Sequence, residues 1–465
     1  MSFLSKIQWT VVIFCLAAIA APSAQVVRTG GPPPEVRAVF EALLAAANGG
    51  SEDGWEAFAK ERFSSSFLQK QSRDERAELY RQIVNQFGTA AIEGVRREGP
   101  DAPMRMMVKG SKANGVILLS LDAGSPPRID DLRLGSDAPP PGAADGGVPA
   151  PPIDPSMTSA EIDRRLDAYF TKLAADDVFS GVALVARNGV PAFFKAYGLA
   201  DREKKLPNTI RTRFNLGSVN KAFTQVAIRQ LVAAGKLSLT DTLGKFFPDY
   251  PQASSRAATL EQLLGHRAGL SDFFGPQFNS APKAQFASNA DYFRFVSSLP
   301  PAFAPGERQQ YCNGCYIALG AIVERASGMP YEKYVAEHVF ARAEMTSTGY
   351  PRSDRPEPDI AQGYTRLRQG FGGDGSWQNN LAMHGVTGSA AGGGYSTALD
   401  LLTYVKAVRA GKFPGANADM GIAGGAPGIN AIVEARGEWV VIVLANYDPP
   451  AASQVGMAVA NALEK

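Results

Sequence analysis

The stretch at residues 136–157, SDAPPPGAADGGVPAPPIDPSM, divides the chain. Proline, glycine and alanine dominate it and no helical or strand period runs through it, so it reads as a linker, semi-rigid where proline is dense. A single core cannot be threaded through such a segment. The 465 residues therefore separate into a small folded region at 33–135 and a large one at 158–465. Ahead of both, Lys6 supplies a positive charge, residues 11–21 form an apolar run too short to span a bilayer, and small residues follow at Ala21, Ser23 and Ala24. This is the pattern of a secretory signal at residues 1–24. It implies a periplasmic or secreted protein with no stable membrane span after cleavage; an uncleaved anchor is the alternative.

Each region carries its own pattern. In the small one, Val36, Phe40, Leu43 and Leu44 form a helical stripe and residues 74–87 form another, followed by strand-like runs at 91–97, 104–108, 116–121 and 129–134. Helices followed by a curved antiparallel sheet suit that order, a small α+β domain faintly similar to the cone-shaped fold of ketosteroid isomerases. It holds no catalytic set and reads as a docking or stabilising domain. The large region opens with a helix carrying Ile162, Leu166, Tyr169, Phe170 and Leu173 on one face. Two apolar runs, 182–187 and 190–197, then flank Asn188-Gly189, a strong hairpin signal. The chain ends in kind, with strands at 430–435 and 439–445 and a last helix at about 452–463. An antiparallel sheet built from the two ends, flanked by helices and holding a helical insert between, gives an α+β fold.

Composition removes several classes of function. Lys+Arg 47 against Asp+Glu 45 leaves a net charge of +2, with no global field for nucleic acid. Three histidines at no ligand spacing, and a Cys312-Asn313-Gly314-Cys315 pair without a second pair, argue against a metal. No Gly-x-Ser-x-Gly elbow exists, and the run Gly392-Gly393-Gly394 reads as a tight loop entering a helix at Thr397 and Asp400, a capping-box pattern. No cofactor is implied.

What remains is Ser-x-x-Lys, present as Ser218-Val219-Asn220-Lys221 and as Ser280-Ala281-Pro282-Lys283. The second contains proline in a stretch without periodicity and reads as a loop. The first opens a helix whose apolar face holds Val219, Ala222, Phe223, Val226 and Leu231. Residues three apart share a helix face, so Ser218 and Lys221 can meet. A serine hydroxyl needs a base to attack a carbonyl, and burial together with the helix dipole favours a neutral lysine. The Ser218 N–H is free to bind an oxyanion. The bland alternative is a capping serine and a solvated lysine. A second motif, Tyr311-Cys312-Asn313, offers a phenol to relay a proton to a leaving group and an amide to contact both substrate and lysine. Its bland alternative is a surface turn with a packed tyrosine.

Five ordered blocks carry a family resemblance. They are FNLGSVNK at 214–221, LLGHRAGL at 263–270, Tyr311-Cys312-Asn313, GSAAGGGYST at 388–397 and GGAPG at 424–428. The large domain resembles the penicillin-recognising serine hydrolases: class C β-lactamases, D-alanyl-D-alanine peptidases and related esterases. The resemblance implies a β-lactamase/transpeptidase-like fold, with Ser218 as nucleophile, Lys221 as its base, Tyr311 as partner acid/base and Asn313 at the substrate. It places Gly424 on a strand lining the site, where glycine lets a substrate approach, and the Gly425 N–H as second oxyanion donor beside that of Ser218. One block departs from the pattern: Ile422 stands where the family carries Lys or His. Losing a charge-assisted bond weakens recognition of a substrate carboxylate, so a neutral ester or amide is expected over a true β-lactam or D-Ala-D-Ala end. Two further readings stay open. A non-turnover penicillin-binding-like receptor or inactive homologue would use the same pocket. A thiol-disulfide protein would use Cys312 and Cys315, although two buried thiols without function are the simpler reading of that pair. His266 reads as a loop-fixing hydrogen-bonder.

Overall fold

The computed structural model describes residues 34–96, 104–112, 115–122, 124, 126–135, 151–355, 357–366 and 376–464. The expected signal at 1–24 and the part of the expected linker at 136–150 lie outside the described residues. The chain folds as two compact units, the first ending at Leu134 and the second beginning at Gly135.

In the small unit four helices, α1 (Pro34–Asn48), α2 (Glu52–Arg62), α3 (Ser65–Lys70) and α4 (Arg73–Phe87), precede a four-stranded antiparallel sheet. Its strands run in sequence order: β1 (Ala90–Arg96), β2 (Met104–Gly110), β3 (Gly115–Leu121) and β4 (Ile129–Gly135). Ser72 and Glu75 close a capping box that starts α4. The core is aromatic, with Trp55 between Phe58, Phe63 and Tyr80. Helices α2 and α3 have no counterpart among the sequence expectations; their serine N-caps, Ser51 and Ser64, are the signal that marks them.

The large unit begins earlier than residue 158. Ile153 is buried in its core and the Arg165 guanidinium donates to the Pro152 carbonyl. The described end of the expected linker, 151–157, therefore belongs to the folded unit: an isoleucine among prolines finds apolar surface to cover. Helix α5 (Ser159–Ala175) follows, then β5 (Gly181–Arg187) and β6 (Val190–Tyr197). The turn between them uses Asn188 and Gly189 at φ 50° and 74°, the left-handed region a two-residue hairpin requires. The chain returns at its end as β7 (Met420–Ala426), β8 (Ile429–Arg436) and β9 (Trp439–Ala445), completing a five-stranded antiparallel sheet in the order β7-β8-β9-β5-β6. The two ends of the unit meet directly, Gly181 pairing with Ala445 and Arg187 with Trp439.

Strand β9 is buried along its whole length because both sheet faces are covered. Leu166 and Phe170 of α5 pack with Val455 and Val459 of the last helix, Ser453–Leu463, in one core cluster. The helical insert contributes to the other, which holds Leu184 and Val433 of the sheet with Phe223, Val226 and Leu319. Three insert helices position the site: α6 (Lys221–Ala233), α7 (Asn313–Ser327) and α8 (Ala398–Arg409). At α8, Thr397 accepts the Asp400 N–H, but the Asp400 carboxylate turns to Ser347 and Thr348. The expected reciprocal box is a one-way cap. Among the described residues no helix is long and apolar enough to cross a membrane.

Candidate active site

Ser218 sits in a 3-10 turn, Gly217–Asn220, that feeds directly into α6. The turn leaves Ser218 half-buried at the rim of a cleft and sends Lys221, 5% exposed, beneath it. Lys221 Nζ lies 3.1 Å from Ser218 Oγ, 2.7 Å from Asn313 Oδ1 and 2.6 Å from the Ala391 carbonyl. The rings of Tyr311 and Tyr316 flank it, with centroids 4.8 and 5.4 Å away. Burial among these groups pulls the lysine pKa down to about 7, against the opposing charge of Asp272. Near neutrality a large share of Lys221 is therefore uncharged. A neutral amine has two N–H bonds and one lone pair. Two of the three partners, Asn313 Oδ1 and the Ala391 carbonyl, only accept, so they take the two N–H bonds and leave the lone pair for the Ser218 hydroxyl.

Tyr311 completes the arrangement. Its hydroxyl donates to Ser218 Oγ at 2.5 Å. The residue is 53% exposed, yet its partial desolvation at the cleft raises the phenol pKa despite the bond to Ser218. The Tyr311 ring stacks on His266, centroids 4.8 Å apart, and His266 Nδ1 accepts the Cys312 N–H at 3.1 Å. Burial and the nearby Lys221 charge lower the His266 pKa, which keeps that nitrogen free to accept. His266 is a loop-fixing hydrogen-bonder and, in addition, the surface on which Tyr311 rests.

Asn313 is the first residue of α7, capped by Cys312. Its Nδ2 donates to Asp272 Oδ2 at 2.7 Å, which turns its oxygen toward Lys221. Cys312 and Cys315 are joined by a disulfide, S–S 2.06 Å, across the first turn of that helix. The simpler expectation of two free thiols is corrected: the N-cap and the third helical residue face each other closely enough to bond.

The edge strand β7 closes the other side. A Cβ on Gly424 would stand 2.2 Å from the Leu216 carbonyl and 2.6 Å from the Ser218 nitrogen, so only glycine lets the strand lie against the nucleophile's own backbone. The Gly425 amide borders Gly217, where an added Cβ would come within 2.9 Å of it, and Gly425 lines the cleft together with Ser218. Ile422 is half-buried and faces the same cleft on the lysine side.

Ser218 stands between two lobes. The first, about 440 Å³, is lined by Lys221, Tyr311, Tyr316, Arg229 and Ile422. The second, about 310 Å³, is lined by Gly425 and Asn313 and by Phe273, Phe278 and Val386. Phe274, half exposed, lies at this second lobe.

The structure thus brings Ser218, Lys221, Tyr311, Asn313, Gly424 and Gly425 together. The second Ser-x-x-Lys goes elsewhere: Lys283 Nζ caps the carbonyls of Phe278, Asn279 and Ala281, and Ser280 Oγ donates to Gln277. Sequence reasoning missed Asp272 and the Ala391 carbonyl. Asp272 follows closely on the LLGHRAGL block, a signal within reach; a main-chain oxygen carries none. Asn289 and Thr224 were missed as well. Asn289 Oδ1 accepts the Ala390 N–H and Thr224 donates to the Ala390 carbonyl, fixing the strip that carries Ala391.

A family model described as Beta-lactamase matches residues 166–424. Esterase EstB of Burkholderia gladioli is 32% identical over 295 residues, covering 56% of this chain and 74% of the esterase. The beta-lactamase of Escherichia coli is 31% identical over 205 residues, 44% of this chain and 52% of that protein. The chain spans about half the length of the curated penicillin-binding relatives from Bacillus subtilis it matches. Among solved structures, a penicillin-binding protein from Bacillus halodurans superimposes with a TM-score of 0.56 at 29% identity, covering 62% of this chain and 98% of that one.

Proposed function

The chain belongs to the beta-lactamase family of serine hydrolases, and from that premise we propose that it is an exported hydrolase of neutral esters or amides working through an acyl-enzyme on Ser218. One observation carries this reading: the Lys221 amine, 5% exposed, lies 3.1 Å from the Ser218 hydroxyl, where burial pushes its pKa down to about 7. Lys221 takes the Ser218 proton as Oγ attacks the acyl carbonyl. The Ser218 and Gly425 N–H groups hold the oxyanion, a contribution worth about 3 kcal/mol per donor in comparable sites. The intermediate collapses, the bond to the leaving group breaks, and Tyr311 gives that group its proton, recovering one from Lys221. Water, deprotonated by the same pair, then releases the acyl group.

Two features support a neutral substrate. Ile422 offers no charge to a carboxylate next to the scissile bond, and the second lobe presents Phe273, Phe278 and Val386 to an apolar acyl group. The signal at residues 1–24 supports a periplasmic or secreted location, and the small unit at 33–135 acts as a docking or stabilising domain. The receptor reading rests on Ile422 alone; it predicts acylation without turnover. Intact-mass analysis with p-nitrophenyl esters and β-lactams decides: a transient Ser218 acyl adduct with continued nitrophenol release supports the hydrolase, a permanent one the receptor, and no adduct overturns both.

A further inference from the structure

The first lobe extends well past the reacting groups. Lys221, Gln225 and Arg229 follow one another at steps of four along α6 and line the same side of this cavity. Eight residues separate Lys221 from Arg229, about 12 Å of rise along the helix, so the lobe leads from the reacting groups to a guanidinium about two turns along α6. The opposite wall is β7 with the loop 410–419, where Gly415, Ala416 and Asn417 present little side-chain bulk. The Arg229 guanidinium packs over Gly415.

The charges in the lobe are unbalanced. Gln225 is engaged, donating to the Tyr316 hydroxyl at 2.7 Å. Asp419, the acidic group of the lobe, faces Arg409 at 3.7 Å. Arg229 makes no ion pair among the described residues, and its field acts on Tyr316. Arg229 is exposed and, among the described residues, its guanidinium is not committed to a partner carboxylate, so it is available to meet an incoming anion.

The direction of entry follows from the proposed reaction, on which this inference rests. Tyr311 and Lys221, which protonate the leaving group, line the first lobe, whereas Gly425 lines the second. The leaving limb therefore occupies the first lobe and the acyl limb the aromatic one.

We propose that Arg229 is a specificity-determining residue that binds a terminal carboxylate on the leaving limb of the substrate, about two helical turns along α6 from Lys221. The substrate class is an ester or amide with an apolar acyl group and an alcohol or amine limb of about six to nine methylene lengths ending in an anion. This is a different carboxylate from the one the family's missing cation would meet beside the nucleophile. Hydrolysis breaks the acyl–oxygen bond, the alcohol oxygen takes the Tyr311 proton, and an ω-hydroxy acid leaves with its carboxylate still on Arg229.

The test compares the butanoyl ester of ω-hydroxyoctanoate with the same ester capped as its methyl ester, followed by pH-stat on the full chain. The wild type should prefer the free acid by about tenfold in kcat/KM, the size of one charge-assisted contact. Arg229→Gln should bring that ratio to near one, Arg229→Lys should keep part of it, and added salt should shrink it in the wild type. Arg229 is exposed, and its variants can be checked for folding by circular dichroism. Ser218-dependent hydrolysis of both esters at equal rates, or a preference that survives Arg229→Gln in folded protein, overturns the subsite alone. Absence of Ser218-dependent hydrolysis of either ester overturns the hydrolase reading and this one with it.

Discussion

The chain contains the same four-residue motif twice, and the two copies have different fates. Lys221 and Lys283 both follow a serine by three residues, and burial lowers the pKa of each. Lys221 lies under a helix start, between two aromatic rings, and meets one hydroxyl and two pure acceptors. Lys283 meets three main-chain carbonyls and no hydroxyl. Three acceptors favour the ammonium, which has three N–H bonds to give. Two acceptors and a hydroxyl accommodate the free amine. Spacing supplies the pair; the partners decide whether it does chemistry.

The largest effect separates the two serines. Ser218→Ala should reduce ester hydrolysis by roughly 10⁴-fold or more and abolish fluorophosphonate labelling, as loss of a serine nucleophile does elsewhere. Ser280→Ala should leave both intact; equal losses in the two would break the comparison. The lysines come next. Lys221→Met should lower kcat by about 10³-fold, within the range for a general base, while Lys283→Met should cost helix-end stability, read as a lower melting temperature, and spare kcat. Tyr311→Phe keeps the stack on His266 but removes the proton donor. It should lower kcat by about 10²-fold with a smaller change for substrates whose leaving group needs no proton, such as p-nitrophenol.

How far these distinctions could be read in advance depends on the kind of atom involved. Ser218, Lys221, Tyr311 and Asn313 are side chains at fixed spacings, and helix periodicity alone puts the first two on one face. The hairpin at Asn188-Gly189 and the final strands were equally legible, because two-residue turns and short continuous apolar runs have local signatures. The Ala391 carbonyl has no identity in a sequence, yet it fixes one of the lysine's two N–H bonds. Asp272 acts on the site through its bond to Asn313 and its charge on Lys221, neither of which has a fixed sequence spacing, and the bond between Cys312 and Cys315 depends on helix-start geometry. Ile153 shows the converse limit: a proline-rich stretch reads as linker until the surface it covers is known.

Asp272 offers the finest distinction between the motifs, since among the described residues no carboxylate acts on Lys283 in this way. Its charge stabilises the protonated form of Lys221. Asp272→Asn removes that charge while keeping a side chain able to accept from Asn313. The acid limb of kcat/KM should therefore move to lower pH, because less alkali is needed to free the amine. A shift to higher pH would mean that Asp272 serves mainly to orient Asn313.

The claim beneath all of these is that Ser218 is activated by an uncharged Lys221. The most direct measurement is the rate of fluorophosphonate labelling of Ser218 between about pH 5 and 9. The rate should rise with a single midpoint near the lysine value of about 7, and Lys221→Met should remove that midpoint. A rate that is flat across the range, or a midpoint that persists without Lys221, would contradict it.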